Sequence, residues 1–209
     1  MQKTLFFDIE TIPNPQAARY LPEITPPSNY KDPDKIAAYI ADKEALALEK
    51  AALDPDLGQI AAISYSIGLE RTTKVLTIER RSEKDLLSLF WAFFSYCNGV
   101  TCGYNILAFD LPYLLRRSFA LGVRVGEAPD LRRYQTYPTT DLMQILFNWS
   151  NQNKSLKFVC NRYGIEDEMP EVSGSQFEAM DWPTRRAYAK NGTDLNKRLA
   201  KLMRGVYLP

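Results

Sequence analysis

Apolar and polar positions change their period several times along the chain, and each change marks an element. Lys3–Glu10 sets Leu5, Phe6, Phe7 and Ile9 around Asp8 and predicts a short buried strand. Prolines at 13, 15, 22, 26, 27 and 33 then forbid regular helix or central strand, so the chain makes an irregular excursion. Asp32-Pro33 opens a helix, an N-cap residue followed by proline at the first helical position. The Ala-, Leu-, Glu- and Lys-rich run Ile36–Leu53 continues it until Asp54-Pro55-Asp56 and Gly58. Gln59–Gly68 and Thr73–Arg80 read as a hairpin around Gly68–Arg71. Ser82-Glu83-Lys84-Asp85 is a helix start leading into the amphipathic run Leu86–Tyr96. A small strand follows at Gly99–Tyr104, then a helix over Asp110–Leu121 with Pro112 in its first turn and Gly122 after it. Two further helices are expected at Asp141–Trp149 and Ser155–Tyr163, the second ended by Gly164. The last helix starts at Asp181-Trp182-Pro183 and runs to about Arg204. This order predicts an α/β fold, a mixed sheet covered by helices, with a Pro-rich and helical insertion over residues 13–58 after the first strand.

Composition narrows the chemistry. The 209 residues suit one domain, residues 1–209 with that insertion, and 45% hydrophobic against 24% charged is the balance of an ordinary globular protein. The chain has no histidine, which excludes a Ser-His-Asp triad, a histidine zinc site and a histidine base. Lys plus Arg is 26 and Asp plus Glu 25, so a basic coat for non-specific nucleic-acid binding is absent. Cys97, Cys102 and Cys160 are odd in number and match no zinc-knuckle spacing, and they read as the reduced thiols of a cytoplasmic protein. Asp8 interrupts any signal-peptide core, and the run Leu86–Phe94 is too short to span a bilayer, so no membrane partner is expected.

Acid-base or metal chemistry must therefore come mainly from carboxylates, Tyr, Lys or Cys. Asp8 and Glu10 are two apart on a strand, so both face one side of the sheet. Two acids among apolar neighbours repel unless a proton or a cation intervenes, and an oxygen-seeking divalent ion is the natural partner. On a surface the same pair would be two solvated acids. Gly103-Tyr104-Asn105-Ile106-Leu107-Ala108-Phe109-Asp110 leaves a strand and enters a helix, where Asp110 has an ordinary use as an N-cap. Tyr188 lies one turn before Gly192 on the last helix, with an equally ordinary use as a core aromatic. Arg132-Arg133-Tyr134 with Tyr137, Arg116-Arg117 and Arg185-Arg186 offer basic groups near aromatics, a pattern that solvated faces also produce.

Taken together, these residues resemble the DEDD superfamily of 3′-5′ exonucleases, an RNase H-like fold, and most of all the stand-alone family-B-polymerase-like exonucleases of bacteria and phages. Phe7-Asp8-Ile9-Glu10-Thr11 is similar to the first motif of that superfamily, and Asn105-Ile106-Leu107-Ala108-Phe109-Asp110 to the second. Without histidine only the tyrosine form of the third motif is open, with Tyr188 as its tyrosine. The resemblance implies a five-stranded mixed sheet, two Mg²⁺ or Mn²⁺ ions held by acidic residues, and removal of nucleotides from single-stranded or frayed DNA 3′ ends. RNA is an alternative substrate, and replication or repair proteins are implied partners. Asp8, Glu10 and Asp110 are implied as metal-binding and catalytic, Tyr188 as orienting the attacking water, and Thr11, Asn105 and Phe109 as substrate contacts.

The third motif departs from its pattern. Tyr-x-x-x-Asp becomes Tyr188-Ala189-Lys190-Asn191-Gly192, so glycine stands at the fourth carboxylate. Asp194 is two residues on, about 200° around a regular helix, and reaches the site only if Gly192 breaks a turn. Three readings stay open: Asp194 as the catalytic and metal-binding replacement, Asp141 as a spare or supporting ligand, or a weakened nucleic-acid-binding module on the same fold.

Overall fold

The computed structural model of the protein describes residues 3–208; Met1, Gln2 and Pro209, which the expected domain span includes, lie outside them. The described chain forms two compact units, one made of the residues up to Glu10 together with Ile60 onward, the other of Thr11–Gln59.

The first unit is built on a mixed five-stranded sheet in the order β3-β2-β1-β4-β5. Its strands are β1 (Leu5–Pro13), β2 (Gly58–Ile67), β3 (Lys74–Thr77), β4 (Thr101–Gly103) and β5 (Thr139–Asp141). β1 pairs parallel with β4, β4 parallel with β5, and β2 antiparallel with β3. The helices are α2 (Glu83–Tyr96), α3 (Asp110–Ala120), α4 (Leu142–Leu146), α5 (Leu156–Arg162) and α6 (Trp182–Met203), with α1 (Pro33–Glu49) in the second unit.

The alternation of β1 decides what each face meets. Leu5, Phe7 and Ile9 join one cluster with Leu86, Phe90, Trp91, Leu111 and Leu114 of α2 and α3. Phe6 points the other way and joins Leu142, Val159, Leu199 and Met203 of α4, α5 and α6. Each such side chain contributes about 1.5–3 kcal/mol by leaving water, so the hand of the strand is firmly fixed. Asp8 and Glu10 follow Phe6 on its face and are thereby aimed toward α6. Two buried hydrogen bonds tie α6 to this sheet: Ser64 Oγ with Thr193 Oγ1 at 2.6 Å, and Asn196 Nδ2 to the Phe7 carbonyl at 3.5 Å.

α2 begins with a reciprocal capping box. The Ser82 hydroxyl accepts from Asp85 N at 3.2 Å, and the Asp85 carboxylate accepts from Ser82 N at 3.1 Å. Within its first turn Glu83 accepts from Ile60 N and, through both oxygens, from the Arg117 guanidinium, all at 2.8 Å. The carboxylate is 9% exposed and the guanidinium 7%, so this pair locks β2, α2 and α3 together away from water.

In the second unit Asp32 caps α1 by accepting from Asp34 N at 3.0 Å, with Pro33 in its first turn. α1 ends at Glu49, and residues 51–53 form a separate 3₁₀ turn where the sequence pattern suggested continuing helix. Tyr30 packs edge-on against Tyr39 at 5.7 Å.

Other departures are short elements. β1 runs on to Pro13, and β5 is only three residues long, too short to show a period. α4 stops at Leu146 because Asn148 and Trp149 adopt left-handed φ values of 50° and 53°. A 3₁₀ segment, Gly174–Ala179, precedes α6. Among the described residues no helix is long and apolar enough to cross a membrane. The three cysteines are free and buried.

Glu83→Ala leaves the buried Arg117 without this carboxylate and Ile60 N without its acceptor, and should cost about 3–5 kcal/mol. Denaturant unfolding reads this directly, and a loss below about 1 kcal/mol contradicts it.

Candidate active site

Asp110 does not cap its helix. Phe109 occupies the N-cap place without a side-chain bond, and Asp110, 3% exposed, turns back to β1 and accepts from Ile9 N at 3.1 Å. That contact sets it beside the strand residue lying between Asp8 and Glu10. Residues 8, 10 and 110 thus converge in one cavity of about 450 Å³. Its walls come from β1, the Tyr104–Asp110 segment, the start of α5, the Ser173-Gly174 loop and α6. From α6 it takes Tyr188, Asn191, Gly192 and Leu195, spaced as one helical face.

The turn that delivers Asp110 is held from beneath. Asp141, 1% exposed, accepts four backbone N–H groups: Asn105 at 3.0 Å, Leu107 at 2.9 Å, Met143 at 3.0 Å and Gln144 at 3.2 Å. It caps α4 and fixes the 105–107 turn in one stroke, and Asn105 takes the left-handed φ of 64° that the turn needs. Asp141 does not line the cavity. Its carboxylate is committed to the backbone, so the structure gives it a positioning role in place of a ligand's.

Asp194 is likewise drawn elsewhere. α6 is unbroken through Gly192, so Asp194 stays on another face. Its oxygens accept from Thr73 Oγ1 at 2.5 Å and Lys190 Nζ at 2.6 Å, with Lys197 Nζ 3.5 Å away. Burial alone would raise this carboxyl, but the bonds from Lys190 and Thr73 and the lysine charges outweigh it and hold the group below its usual range. The expected catalytic and metal-binding role of Asp194 is therefore set aside. Thr11 also misses the cavity lining: it follows Glu10 on β1, and strand alternation turns it to the opposite face.

The remaining acids repel one another. Asp8, partly open to the cavity but hemmed in by protein, is pushed up to about 7 by burial. Burial, then the charges of Asp8 and Asp110, raises Glu10 well above its ordinary value. Asp110 is raised well above its own by burial and then by Asp8, against the bond from Ile9 N. Burial, with the charges of Glu10, Asp8 and Asp167, also raises the Tyr188 phenol, which keeps its proton at neutral pH. Tyr188 can therefore orient a water but is a poor base.

These groups suit a hard divalent cation. The three carboxylates at the cavity offer oxygen ligands, and a cation between them removes their repulsion. Among the described residues no three or more Asp, Glu, Cys or His side chains stand arranged to hold an ion by themselves. Mg²⁺ commonly takes one or two carboxylates and fills its shell with water and substrate phosphate, so this does not count against the fit. Asn191, 5% exposed, donates Nδ2 to Asp167 at 2.7 Å, and its buried Oδ1 has no hydrogen-bond partner in the structure.

The sequence pattern missed Asn191, although the spacing Tyr188-Asn191-Gly192-Leu195 carries it. It also missed Lys157, whose ammonium donates to the carbonyls of Met169 at 2.5 Å, Pro170 at 3.3 Å and Val172, and stands 3.5 Å from Asp167. This lysine pins the loop leading to Gly174, where an added Cβ would sit 3.6 Å from the Tyr188 hydroxyl. No local signal marks such a role, because its partners are backbone carbonyls.

A strand carrying two acids, joined by a third from a helix start on a mixed sheet, brings three carboxylates to one cavity. Residues 3–161 match the family model for the exonuclease domain of family B DNA polymerases, and the chain belongs to that family. The solved structure of the family B DNA polymerase from the hyperthermophilic archaeon Pyrobaculum calidifontis shares the fold, with a TM-score of 0.60 and 18% identity. That match covers 97% of this chain and 24% of the polymerase, so the chain spans about a quarter of it. No curated protein matches. The family match ends before α6, which carries Tyr188 and Gly192.

Two outcomes follow. Asp141→Ala leaves four backbone N–H groups, one buried and three part-buried, without this acceptor and should lower stability by about 2–4 kcal/mol in denaturant unfolding; an unchanged midpoint contradicts its role as the turn's anchor. The second concerns pH. Asp8 titrates near 3.9 when unfolded and at about 7 when folded, so the folded state holds the proton more tightly. Stability present below about pH 4 is then lost as the pH rises through about 7. Without metal, the melting temperature should fall from pH 4 to pH 8, and Mn²⁺ at pH 8 should raise it. A flat profile contradicts the crowding of the acids.

Proposed function

We propose that the protein is a metal-dependent 3′-5′ exonuclease that removes mononucleotides from single-stranded or frayed DNA ends. The observation that carries this reading is the convergence of Asp8, Glu10 and Asp110 beside Tyr188 in one cavity of a chain from this exonuclease family.

Mg²⁺ or Mn²⁺, when bound, polarises the scissile phosphate and makes water easier to deprotonate near neutral pH. Asp8, Glu10 and Asp110 would hold the ions through their carboxylate oxygens. Glu10 also steers the attacking water, and the protonated Tyr188 hydroxyl holds that water in line by hydrogen bonding. Water adds to phosphorus as the bond to the 3′ oxygen of the preceding nucleotide breaks, releasing a 5′-mononucleotide. Asn105 and Phe109, both on the cavity wall, would contact the terminal nucleotide. A cleft taking one strand end needs little basic surface, which suits a net charge of +1.

Gly192 favours a second reading, a binding module with a weakened site. One assay separates the two. A 3′-labelled oligodeoxynucleotide with Mn²⁺ should release mononucleotides, Asp8→Asn should slow release by about a thousandfold or more, and Tyr188→Phe by about 10–100-fold with metal affinity kept. Retained DNA binding without any release by the native chain overturns the exonuclease reading in favour of the module. Faster release from RNA than from DNA overturns the substrate assignment.

A further inference from the structure

We infer that the strand leading into the cavity rests on two aromatic shelves, Phe158 with Lys154 at the rim and Tyr134 with Arg133 beyond it, which stack bases lying 5′ of the terminal nucleotide. This rests on the exonuclease reading and deepens it, making the length of unpaired strand a determinant of affinity.

The basic pairs of the sequence differ in what they touch. Arg117 is locked to Glu83, Arg186 pairs with Glu79, and Arg185 donates to the Met180 and Glu178 carbonyls. Arg132 is held by Asp130 through bonds of 2.6–3.1 Å. Arg133 instead lies over an aromatic ring, its guanidinium carbon 5.4 Å from the centre of Tyr134. Tyr134 is 67% exposed, and its ring tilts against Trp149 at 5.4 Å. Both residues take the left-handed backbone, φ 64° and 53°, that bulky side chains rarely adopt. Trp149 packs in turn on the cluster containing Tyr104, a residue of the cavity wall.

A second pair of this kind stands at the cavity itself. Ser155, Leu156 and Lys157 line the wall, and Phe158 follows them, 54% exposed, with Lys154 Nζ 5.8 Å over its ring. Two bonds to wall residues fix it there: the Tyr104 hydroxyl donates to the Lys154 carbonyl at 2.5 Å, and Phe158 N donates to Ser155 Oγ at 3.2 Å. Trp149 and Lys154 are five residues apart, so the backbones of the two shelves lie within about 18 Å of each other. Exposed rings under cations suit a nucleic-acid strand, because ring faces take any base and the cations meet phosphates. The occupant is single-stranded, since a duplex keeps its base faces covered.

Fluorescence anisotropy of 5′-labelled oligothymidylates in EDTA reads binding by the full chain without turnover. A strand of about 15 nucleotides should bind about tenfold or more tighter than one of about 4. Tyr134→Ala should cut that ratio about tenfold, and Tyr134→Phe should restore it. Phe158→Ala should weaken the longer strand about tenfold, while Phe158→Trp keeps its affinity. Lys154→Gln should lower the slope of log affinity against log salt by about 0.7. Native affinity for the longer strand in both alanine variants overturns the inference, as does Tyr134→Ala weakening both strands equally, or a blunt duplex binding as tightly as the single strand. If Phe158→Ala fails to fold by circular dichroism, the Tyr134 variants decide alone. An intact length dependence with no mononucleotide released by the native chain in Mn²⁺ overturns the exonuclease reading and leaves the shelves standing.

Discussion

Burial of three neighbouring carboxyl groups in one cavity is the constraint around which this end of the sheet is organised. Asp8, Glu10 and Asp110 are each pushed toward the protonated form, mainly by burial, and Glu10 and Asp110 also by their acidic neighbours. A fold keeps such a cluster only when surrounding contacts hold it in place, and here they do so from three sides. The apolar alternation of β1 aims two of the acids, Ile9 N grips the third, and the Ser64–Thr193 and Asn196–Phe7 bonds fix α6 over them.

The division of labour among the acids follows from what each accepts. Asp141 sits close to the motif in space yet spends both oxygens on backbone N–H groups, so it stiffens the turn that presents Asn105, Phe109 and Asp110. Asp194 is neutralised by lysines on the far side of its helix. Asp8, Glu10 and Asp110 line the cavity with little bonding of their own, which leaves their oxygens open to a ligand. The chemistry of the donors, not their number alone, separates the acids that hold the scaffold from those that face the cleft.

Much of this was legible from residue order. The period-two run at Leu5–Ile9 fixed the face of Asp8 and Glu10, and the caps at Asp32, Ser82, Ser155 and Asp181 marked real helix starts. β5 escaped because three residues show no periodicity, and α4 came out short because Asn148 and Trp149 turn left-handed. The commitments of Asp194 and Asp141 were invisible for a different reason. Both depend on partners far along the chain, Thr73 for one and the 105–107 turn for the other, which only the folded sheet brings near. Likewise Gly192 could be read as a missing acid, but not that Asp8 leans into the space it leaves.

The most direct test is a crystal of the protein grown with Mn²⁺ and measured at the manganese absorption edge. An anomalous peak touching Asp8 together with Glu10 or Asp110 is the expected result. A peak confined to Asp194 or Asp141, or none within the cavity while the three acids point apart, contradicts the central claim.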